Sequence, residues 1–335
     1  MARLNILLNN RGTVNQIIRF LSQWSNEEFR YAFLDRNKEK VLIVDKREIK
    51  LNRLRKGYFS LIDAQIIFTI LAKEHDETFN NTRILIEGTF RRLCAHHVLL
   101  PAPVSLVEEF QIIDTALALY QANGSLDAIV FGVSYMVEKY KRSVPAINVV
   151  NEDGDKHCGT GVLMRPRPGK HCVVTNKHVL ENNKLESVRA GDAEYKICGE
   201  PEFCEYADLA MLPVDPPDPI PVFQVLGDPD ILQPLIVVGY PRIPFTMSQY
   251  ALVHRGECNG RIQTLDKQDL IAISCHVSPG NSGGPVISEI GELIGIVTQS
   301  NEGTYLSAPS SIDKLVVYNM AIPGSVVLRF VSEHV

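Results

Sequence analysis

The sequence predicts a multidomain protein of mixed α and β class, with a mostly α-helical domain over residues 1–142 and an all-β domain that follows it. Two observations carry this prediction. Up to Arg142, apolar residues recur with the period of an amphipathic helix. From Val144 onward, short β-runs alternate with clusters of glycine, proline and asparagine. The chain has 335 residues, which is long enough for two domains.

The helical prediction for the first domain rests on three apolar stripes, Ile17–Leu21, Ile62–Leu71 and Leu106–Tyr120. A short strand from Val41 to Val44 is expected between the first two stripes. The domain boundary is placed after Arg142, because Pro145 discourages a helical conformation at Val144. We recognise no family for this half, which we expect to be a regulatory or sensor domain.

Seven β-runs are expected in the second half: Gly161–Met164, His171–Thr175, Asp208–Val214, Leu235–Gly239, Leu270–Cys275, Pro285–Ile287 and Leu293–Thr298. The proline-rich segment Pro213–Pro221 is expected to connect two β units, because proline has no backbone donor for a central strand. Residues 143–320 form the predicted β domain, and residues 321–335 are expected to be a C-terminal tail.

Charge and hydropathy exclude several function classes. The formal net charge is −5, with +4 on residues 1–142 and −9 on the remainder, so we expect no general attraction to nucleic acid or to a membrane. The basic stretch Lys46–Lys56 contains no aromatic residue that could stack on bases, and we expect it to be a solvated face. No apolar run is long enough to span a membrane, and Met1–Asn10 does not resemble a signal peptide, so a cytoplasmic location is expected.

The seven cysteines are an odd number in a chain without a secretory signal, and we expect free thiols. The tandem pairs His157-Cys158 and His171-Cys172 leave a zinc site open as an alternative, because imidazole and thiolate are zinc ligands. Both pairs lie in or beside apolar runs, where cysteine usually serves as a small apolar residue. We therefore expect no metal and no cofactor.

Three residues of the second half can carry nucleophilic catalysis. A serine hydroxyl needs an imidazole to take its proton, and the imidazole needs a carboxylate to fix its tautomer. Ser282 lies in the glycine-rich segment Ser-Pro-Gly-Asn-Ser-Gly-Gly-Pro, His178 follows an apolar strand in Thr-Asn-Lys-His-Val, and Asp208 opens the strand Asp-Leu-Ala-Met-Leu. Glycines around Ser282 permit a tight loop whose N–H groups can point at one spot.

At these residues the chain resembles the trypsin-like serine peptidases, particularly those of the HtrA/Deg type. The order His178, Asp208, Ser282 and their spacing also fit that family, and the resemblance covers about residues 143–320. It implies an all-β double-barrel trypsin-like peptidase domain with the triad in the cleft between two six-stranded barrels. We expect no C-terminal PDZ module, which HtrA proteins usually carry.

The resemblance also implies the remaining site residues. Gly280 and Ser282 would supply the N–H groups of the oxyanion hole, and Thr298 would lie beside the buried acid. The primary substrate pocket would be lined by His276, Val277, Ser278, Val297, Thr298 and Gln299. None of these six is acidic, so we expect cleavage after small or medium apolar residues, with His276 as an alternative attraction for an acidic side chain.

The function expected from the sequence is a serine endopeptidase that acts on protein or peptide substrates and is regulated by the helical domain, with or without a regulatory protein partner. Asn281 stands where secreted relatives carry an Asp that pairs with a new N-terminus, so we do not expect activation by that ion pair. A peptide-binding or scaffolding module of protease fold with little turnover is the alternative. A third interpretation makes the helical half the functional centre, with proteolysis as its output.

Overall fold

The computed structural model describes residues 2–42, 48–80, 83–102, 108–122, 124–225, 227–246, 248–298 and 319–334. The chain divides into two compact units, Met1–Tyr135 and Met136–Val335. The first is mostly helical and the second is mostly β, so the predicted fold class is confirmed. No helix among the described residues is long and apolar enough to cross a membrane.

The first unit combines helices with a small three-stranded antiparallel sheet whose central strand is Glu109–Ile112. In chain order its elements are α1 (Ala2–Asn9), α2 (Arg11–Ser25), α3 (Glu27–Val41), α4 (Glu48–Arg55), β1 (Tyr58–Ser60), α5 (Leu61–Glu74), α6 (Arg83–Ala95), β2 (Leu99–Ala102), β3 (Glu109–Ile112), α7 (Asp114–Ala122), α8 (Leu126–Phe131) and α9 (Val133–Tyr140), the last of which continues into the second unit. Side-chain caps start two of these helices: Asn26 accepts a hydrogen bond from the Phe29 N–H, and Ser60 forms a capping box with Asp63.

Two sequence predictions for this unit are wrong. Val41 is the last residue of α3 and is buried, so it belongs to no strand; Ile43 and Val44 lie outside the described residues. The apolar stripe from Leu106 to Tyr120 is not a single helix, because Glu109–Ile112 is the central strand β3 and α7 begins only at Asp114. Burial alternates along β3, which is the strand period of two, and this short signal is lost within the longer apolar stripe.

The basic stretch Lys46–Lys56 forms helix α4 over its described part, and acidic side chains pair with three of its cations. Lys50 Nζ lies 2.7 Å from Asp63 Oδ1, and Arg55 Nη2 lies 2.9 Å from Asp35 Oδ1. Arg53 is paired with Glu109 of β3. Much of the positive charge that the sequence concentrates here is therefore compensated within the unit.

The described part of the second unit contains the end of α9, a short 3₁₀ helix (Lys141–Ser143), fifteen strands and two further α-helices. The strands and the two further helices are β4 (Ala146–Val150), β5 (Lys156–Thr160), β6 (Val162–Arg167), β7 (Lys170–Thr175), α10 (Lys177–Leu180), β8 (Lys184–Ala190), β9 (Ala193–Glu194), β10 (Lys196–Ile197), β11 (Glu202–Phe203), β12 (Ala210–Asp215), β13 (Pro234–Gly239), β14 (Leu252–Gln263), β15 (Asp269–Ile273), β16 (Pro285–Ser288), β17 (Leu293–Thr298), β18 (Asn319–Pro323) and α11 (Gly324–Glu333).

The strands form two halves, each with its own apolar core. In the first half a sheet of order β5-β4-β8-β9 faces a sheet built on β10-β12-β7-β6, and Ile147, Val173 and Leu212 belong to their common core. The chain passes from one sheet to the other at Gly161, where an added Cβ would lie only 2.2 Å from Val173 Cγ1. The second half is a closed six-stranded barrel of order β13-β14-β15-β18-β17-β16. The resemblance implies two barrels, and the pairing of the described strands forms a closed barrel in the second half.

Pro213 was expected in the connection between the β units, but it lies inside β12 and is paired with Cys172 of β7. Its carbonyl accepts a hydrogen bond from the Cys198 N–H on the opposite side of the strand. The backbone nitrogen of Pro213, which carries no hydrogen, faces that same side. The neighbouring strand is interrupted there between β10 and β11, so the sheet loses little hydrogen bonding. The expected linker therefore begins only after Asp215.

Both ends of the second unit pack onto its β structure. Residues 136–142, which the sequence assigns to the helical domain, belong to this unit: the Tyr140 ring stacks on Phe223 with 4.5 Å between ring centroids, and Arg142 pairs with Asp218. At the other end, the expected tail from residue 321 contains the end of β18 and helix α11, whose Phe330 is fully buried.

Candidate active site

His178 and Asp208 meet at one end of the first β half. His178 lies on the short helix α10 directly after β7, and Asp208 lies just before β12, the strand paired with β7. The Nδ1 atom of His178 is 2.7 Å from Asp208 Oδ2, and the backbone N–H of His178 donates to Asp208 Oδ1 over 3.0 Å. Two bonds from one residue fix the carboxylate against the imidazole, which leaves the other ring nitrogen free to act as a base.

The carboxyl group of Asp208 is held in its charged form. Burial by itself would raise its pKa, but hydrogen bonds and charge from His178, together with the Thr298 hydroxyl, outweigh burial and hold the pKa below its usual value. Thr298 Oγ1 donates to Asp208 Oδ2 over 2.8 Å from strand β17 of the second half. The two β halves therefore meet at this carboxylate.

Ser282 lies across a cavity of about 630 Å³ that is also lined by His178 and Gly280. Its loop is tied to both β halves: the Thr160 N–H donates to the Ser282 carbonyl over 2.8 Å, and the Gly283 N–H donates to the Val297 carbonyl over 2.8 Å. No hydrogen bond among the described residues joins the Ser282 hydroxyl to the His178 ring. Such contacts are often long before substrate binds.

The loop that ends at Ser282 contains a glycine in a left-handed conformation and two backbone N–H groups without a partner among the described residues. Gly280 has φ of +102°, and a Cβ there would lie 2.2 Å from the Tyr240 carbonyl oxygen, so only glycine fits. The Asn281 N–H donates to the Ser278 carbonyl, whereas the N–H groups of Gly280 and Ser282 have no partner among the described residues. This geometry can hold an oxyanion that forms at the carbon attacked by Ser282.

Thr160, which the sequence analysis did not single out, braces this loop from β5. Its hydroxyl donates to the Gly280 carbonyl over 2.6 Å and accepts from the Tyr240 N–H over 3.0 Å. The residue is fully buried, and its own carbonyl accepts from the Thr175 hydroxyl.

Asn281 is fully buried, and neither its Oδ1 nor its Nδ2 has a hydrogen-bond partner among the described residues. Gly239 leaves room for it, because a Cβ at Gly239 would lie 2.5 Å from Asn281 Oδ1. An uncharged amide can tolerate this environment, whereas an unpaired carboxylate there would carry the larger cost of a buried charge. The absence of activation by an ion pair at this residue stays a prediction.

The residues expected in the substrate pocket are only partly brought together. Val277 and Ser278 line the cavity, with Asn319 of β18, which the sequence analysis missed. Val297 packs into the barrel core, Thr298 is bonded to Asp208, and Gln299 lies outside the described residues.

His276 is exposed and is not among the described residues that line this cavity. Its Nε2 lies 2.9 Å from the Ser278 hydroxyl, and its ring packs edge-on against His254. Burial and then the charge of His276 lower the pKa of His254.

The cysteines of the tandem pairs lie in different surroundings. Cys158 lines the active-site cavity, and burial raises the pKa of its thiol to about 11. Cys172 is buried in β7, and burial raises its pKa to about 12. All seven cysteines are free thiols, and within the described ranges no three His, Cys, Asp or Glu side chains gather as metal ligands.

Comparison with known proteins assigns this arrangement to a family. The family model for the trypsin-like peptidase domain matches residues 159–296, a range that contains His178, Asp208 and Ser282. Residues 159–296 of the second unit thus match a trypsin-like peptidase domain. This domain spans the junction of the two β halves, with its matched region beginning at the end of β5.

Several bacterial HtrA proteases are similar to this domain. The serine protease Do-like HtrA of Lactococcus lactis subsp. cremoris is 29% identical over 52% of this chain and 44% of its own length, and that of Lactobacillus helveticus is 30% identical over 52% and 42%. The chain thus spans less than half of these relatives. The solved structure of the HtrA-type protease AlgW with tripeptide aligns with a TM-score of 0.45 and 22% identity over 60% of this chain and 64% of that one.

Proposed function

We propose that the protein is a serine endopeptidase that cleaves peptide bonds through an acyl-enzyme. The observation that carries this proposal is one cavity lined by His178, Gly280 and Ser282, with Asp208 hydrogen-bonded to His178 behind it. The backbone N–H groups of Gly280 and Ser282 have no partner among the described residues. The match of the second unit to a trypsin-like peptidase domain supports the same activity.

In the proposed mechanism, the Ser282 hydroxyl oxygen attacks the substrate carbonyl while His178 takes its proton through the free ring nitrogen. Asp208 keeps the imidazole in the required tautomer and stabilises its charged form. The N–H groups of Gly280 and Ser282 bind the oxyanion of the tetrahedral intermediate. His178 then protonates the leaving amine, and water hydrolyses the acyl-enzyme by the same steps in reverse order.

One observation favours the alternative of a peptide-binding module with little turnover: the described structure contains no hydrogen bond between Ser282 and His178. Covalent labelling by a fluorophosphonate probe separates the two functions, because only an activated serine is labelled. We expect labelling of the wild-type protein at Ser282 and none of Ser282→Ala.

Peptidase assays complete this test. Ser282→Ala and His178→Ala should each lower kcat by about 10⁴-fold or more, because members of a triad act as a unit. Circular dichroism spectra that match the wild type are the control for folding. Equal turnover by purified Ser282→Ala would refute the mechanism.

We further propose that the active-site cavity accepts a small or medium apolar residue before the scissile bond. Val277 supplies apolar surface there, and the described residues that line the cavity include no carboxylate to pair with Lys or Arg. A peptide library should show cleavage after residues such as Val, Ala or Leu. Dominant cleavage after Arg or Lys would contradict the proposal.

Regulation by the helical unit and a cytoplasmic location also belong to the proposal. Asn281 offers no charge for activation by a new N-terminus, so we infer that control comes through ordering of the loop before Ser282. The odd number of cysteines supports a reducing compartment. Cell fractionation tests the location, and activity with and without the helical unit tests the regulation.

A further inference from the structure

A second cavity of about 610 Å³ continues from the active site. The two cavities have His157, Cys158, Pro279 and Gly280 in common, so they join beside the oxyanion loop. The part of the active-site cavity proposed to hold the residue before the scissile bond is lined by Val277 and lies outside this junction. A substrate that passes Ser282 from that end would place the residues after the scissile bond in the second cavity. We name this second cavity the leaving-side cavity.

The leaving-side cavity carries uncompensated positive charge. Lys156 Nζ lies 3.4 Å from Glu186 Oε2, so these two lining residues largely neutralise each other. Arg242 also lines the cavity, and its guanidinium has no ion pair among the described residues. The polar side chains of Asn148 and Gln249 are bonded to each other over 2.6 Å and leave the charge of Arg242 untouched.

Backbone bonding places Arg242 beside the reacting centre. Its N–H donates to the Pro279 carbonyl over 3.1 Å, and Pro279 directly precedes Gly280 of the oxyanion loop. The Arg242 side chain therefore begins next to the loop that would receive the substrate carbonyl, and it lines the leaving-side cavity. A planar guanidinium with several donors binds carboxylates in preference to other groups.

We propose that the leaving-side cavity binds an acidic residue shortly after the scissile bond, and that Arg242 determines this specificity. The proposal rests on the proposed peptidase function, because the scissile bond defines the position of the acid. Substrates of this class are peptides and unfolded segments in which an apolar residue is followed within about three positions by Asp or Glu.

The first test compares internally quenched peptides that are identical except for Asp, Ala or Lys at each of the first three positions after the scissile bond. At one position, the wild-type protein should cleave the Asp peptide about three- to tenfold faster in kcat/KM than the Lys peptide at low salt. The ratio should fall towards one in Arg242→Gln and invert in Arg242→Glu. These substitutions leave the backbone bond to Pro279 in place.

Arg255→Gln is the matched control, since Arg255 pairs with Glu289 and lies outside both cavities in the described structure. This variant should keep the wild-type ratio of Asp to Lys peptides. Equal cleavage of the two peptides by the wild type at all three positions, or an unchanged ratio in Arg242→Gln, would overturn the inference.

A second measurement does not depend on turnover. Fluorescence anisotropy with labelled peptides that represent the leaving-group product should show tighter binding of the Asp peptide than of the Lys peptide, with loss of the difference in Arg242→Gln. If no hydrolysis is found but this binding difference is present, the peptidase proposal fails and the acidic site stands. If hydrolysis is found without any effect of Arg242 in either assay, the acidic site fails and the peptidase proposal stands.

Discussion

At the residue scale, Thr298 connects the second β half to the Asp208 carboxylate of the first. Among the described residues, its hydroxyl is the one donor to the Asp208 carboxylate that does not come from His178. A hydrogen bond to a charged group contributes about 1.5–3 kcal/mol. The side chain therefore connects the position of strand β17 with the charge state of the carboxylate.

We predict that Thr298→Val lowers kcat/KM by about tenfold, because Asp208 loses this hydrogen bond and orients His178 less well. The pKa of Asp208 lies below its unfolded value, so the group adds stability above about pH 4 and loses it as the pH falls through its folded pKa. Loss of the Thr298 bond raises the folded pKa. Urea unfolding should therefore show a destabilised variant at neutral pH and a smaller difference in acid.

Thr298→Ser is the control for this prediction, since it retains the hydroxyl and should restore both activity and the wild-type pH dependence. An unchanged kcat/KM in Thr298→Val would show that His178 alone positions the carboxylate.

At the element scale, the loop from Ser278 to Ser282 depends on the buried hydroxyl of Thr160 on β5. Thr160→Val would leave the Gly280 carbonyl and the Tyr240 N–H without their shared partner. Buried polar groups without partners are costly, so the loop should leave the geometry that points its N–H groups at the cavity. We predict a loss of about 10²-fold in kcat with a smaller change in KM.

Thr160→Ser retains the hydroxyl and should recover most of kcat, which a merely space-filling role of the side chain would not explain. Fluorophosphonate labelling reports the same loop without a peptide substrate. A wild-type kcat in Thr160→Val would show that the Thr160 hydroxyl is not needed to hold this loop.

The elements also show what the sequence could predict. His171–Thr175 and Leu293–Thr298 were found because strands buried on both faces read as continuous apolar runs. Strand β14 was missed, because most of its residues are polar or exposed and leave little hydrophobic signal. The fold class is confirmed, and His178, Asp208 and Ser282 were named from their local motifs. Thr160 and Asn319 could not be found this way, because their contacts to Gly280 and Cys275 join distant parts of the chain.

At the scale of the whole molecule, the two units differ in charge and in structure, and their boundary along the chain falls inside α9. The segment 136–142 contributes the stacked Tyr140 and the Arg142–Asp218 pair to the second unit. The Tyr195 hydroxyl also bonds to the Arg142 carbonyl. A fragment that begins at residue 143 would expose the apolar surface that Tyr140 covers.

We predict that a fragment of residues 136–335 folds and is more stable than a fragment of residues 143–335 by about 2–4 kcal/mol, mainly through the ring of Tyr140. Urea unfolding of the two fragments measures this difference. Tyr140→Ala in the longer fragment should reproduce most of the loss. Equal midpoints for both fragments would place the stabilising contacts elsewhere.

The hydrogen bond from the Arg242 N–H to the Pro279 carbonyl links the recognition of a substrate to the loop beside Ser282. In the proposed complex, the Arg242 guanidinium binds the part of the substrate that leaves after cleavage. The Arg242 N–H at the same time holds the loop that is proposed to stabilise the oxyanion. Binding energy at the guanidinium can then hold the catalytic geometry in place instead of only retaining the substrate. Discrimination between acidic and basic sequences would therefore appear in kcat as well as in the binding of the peptide.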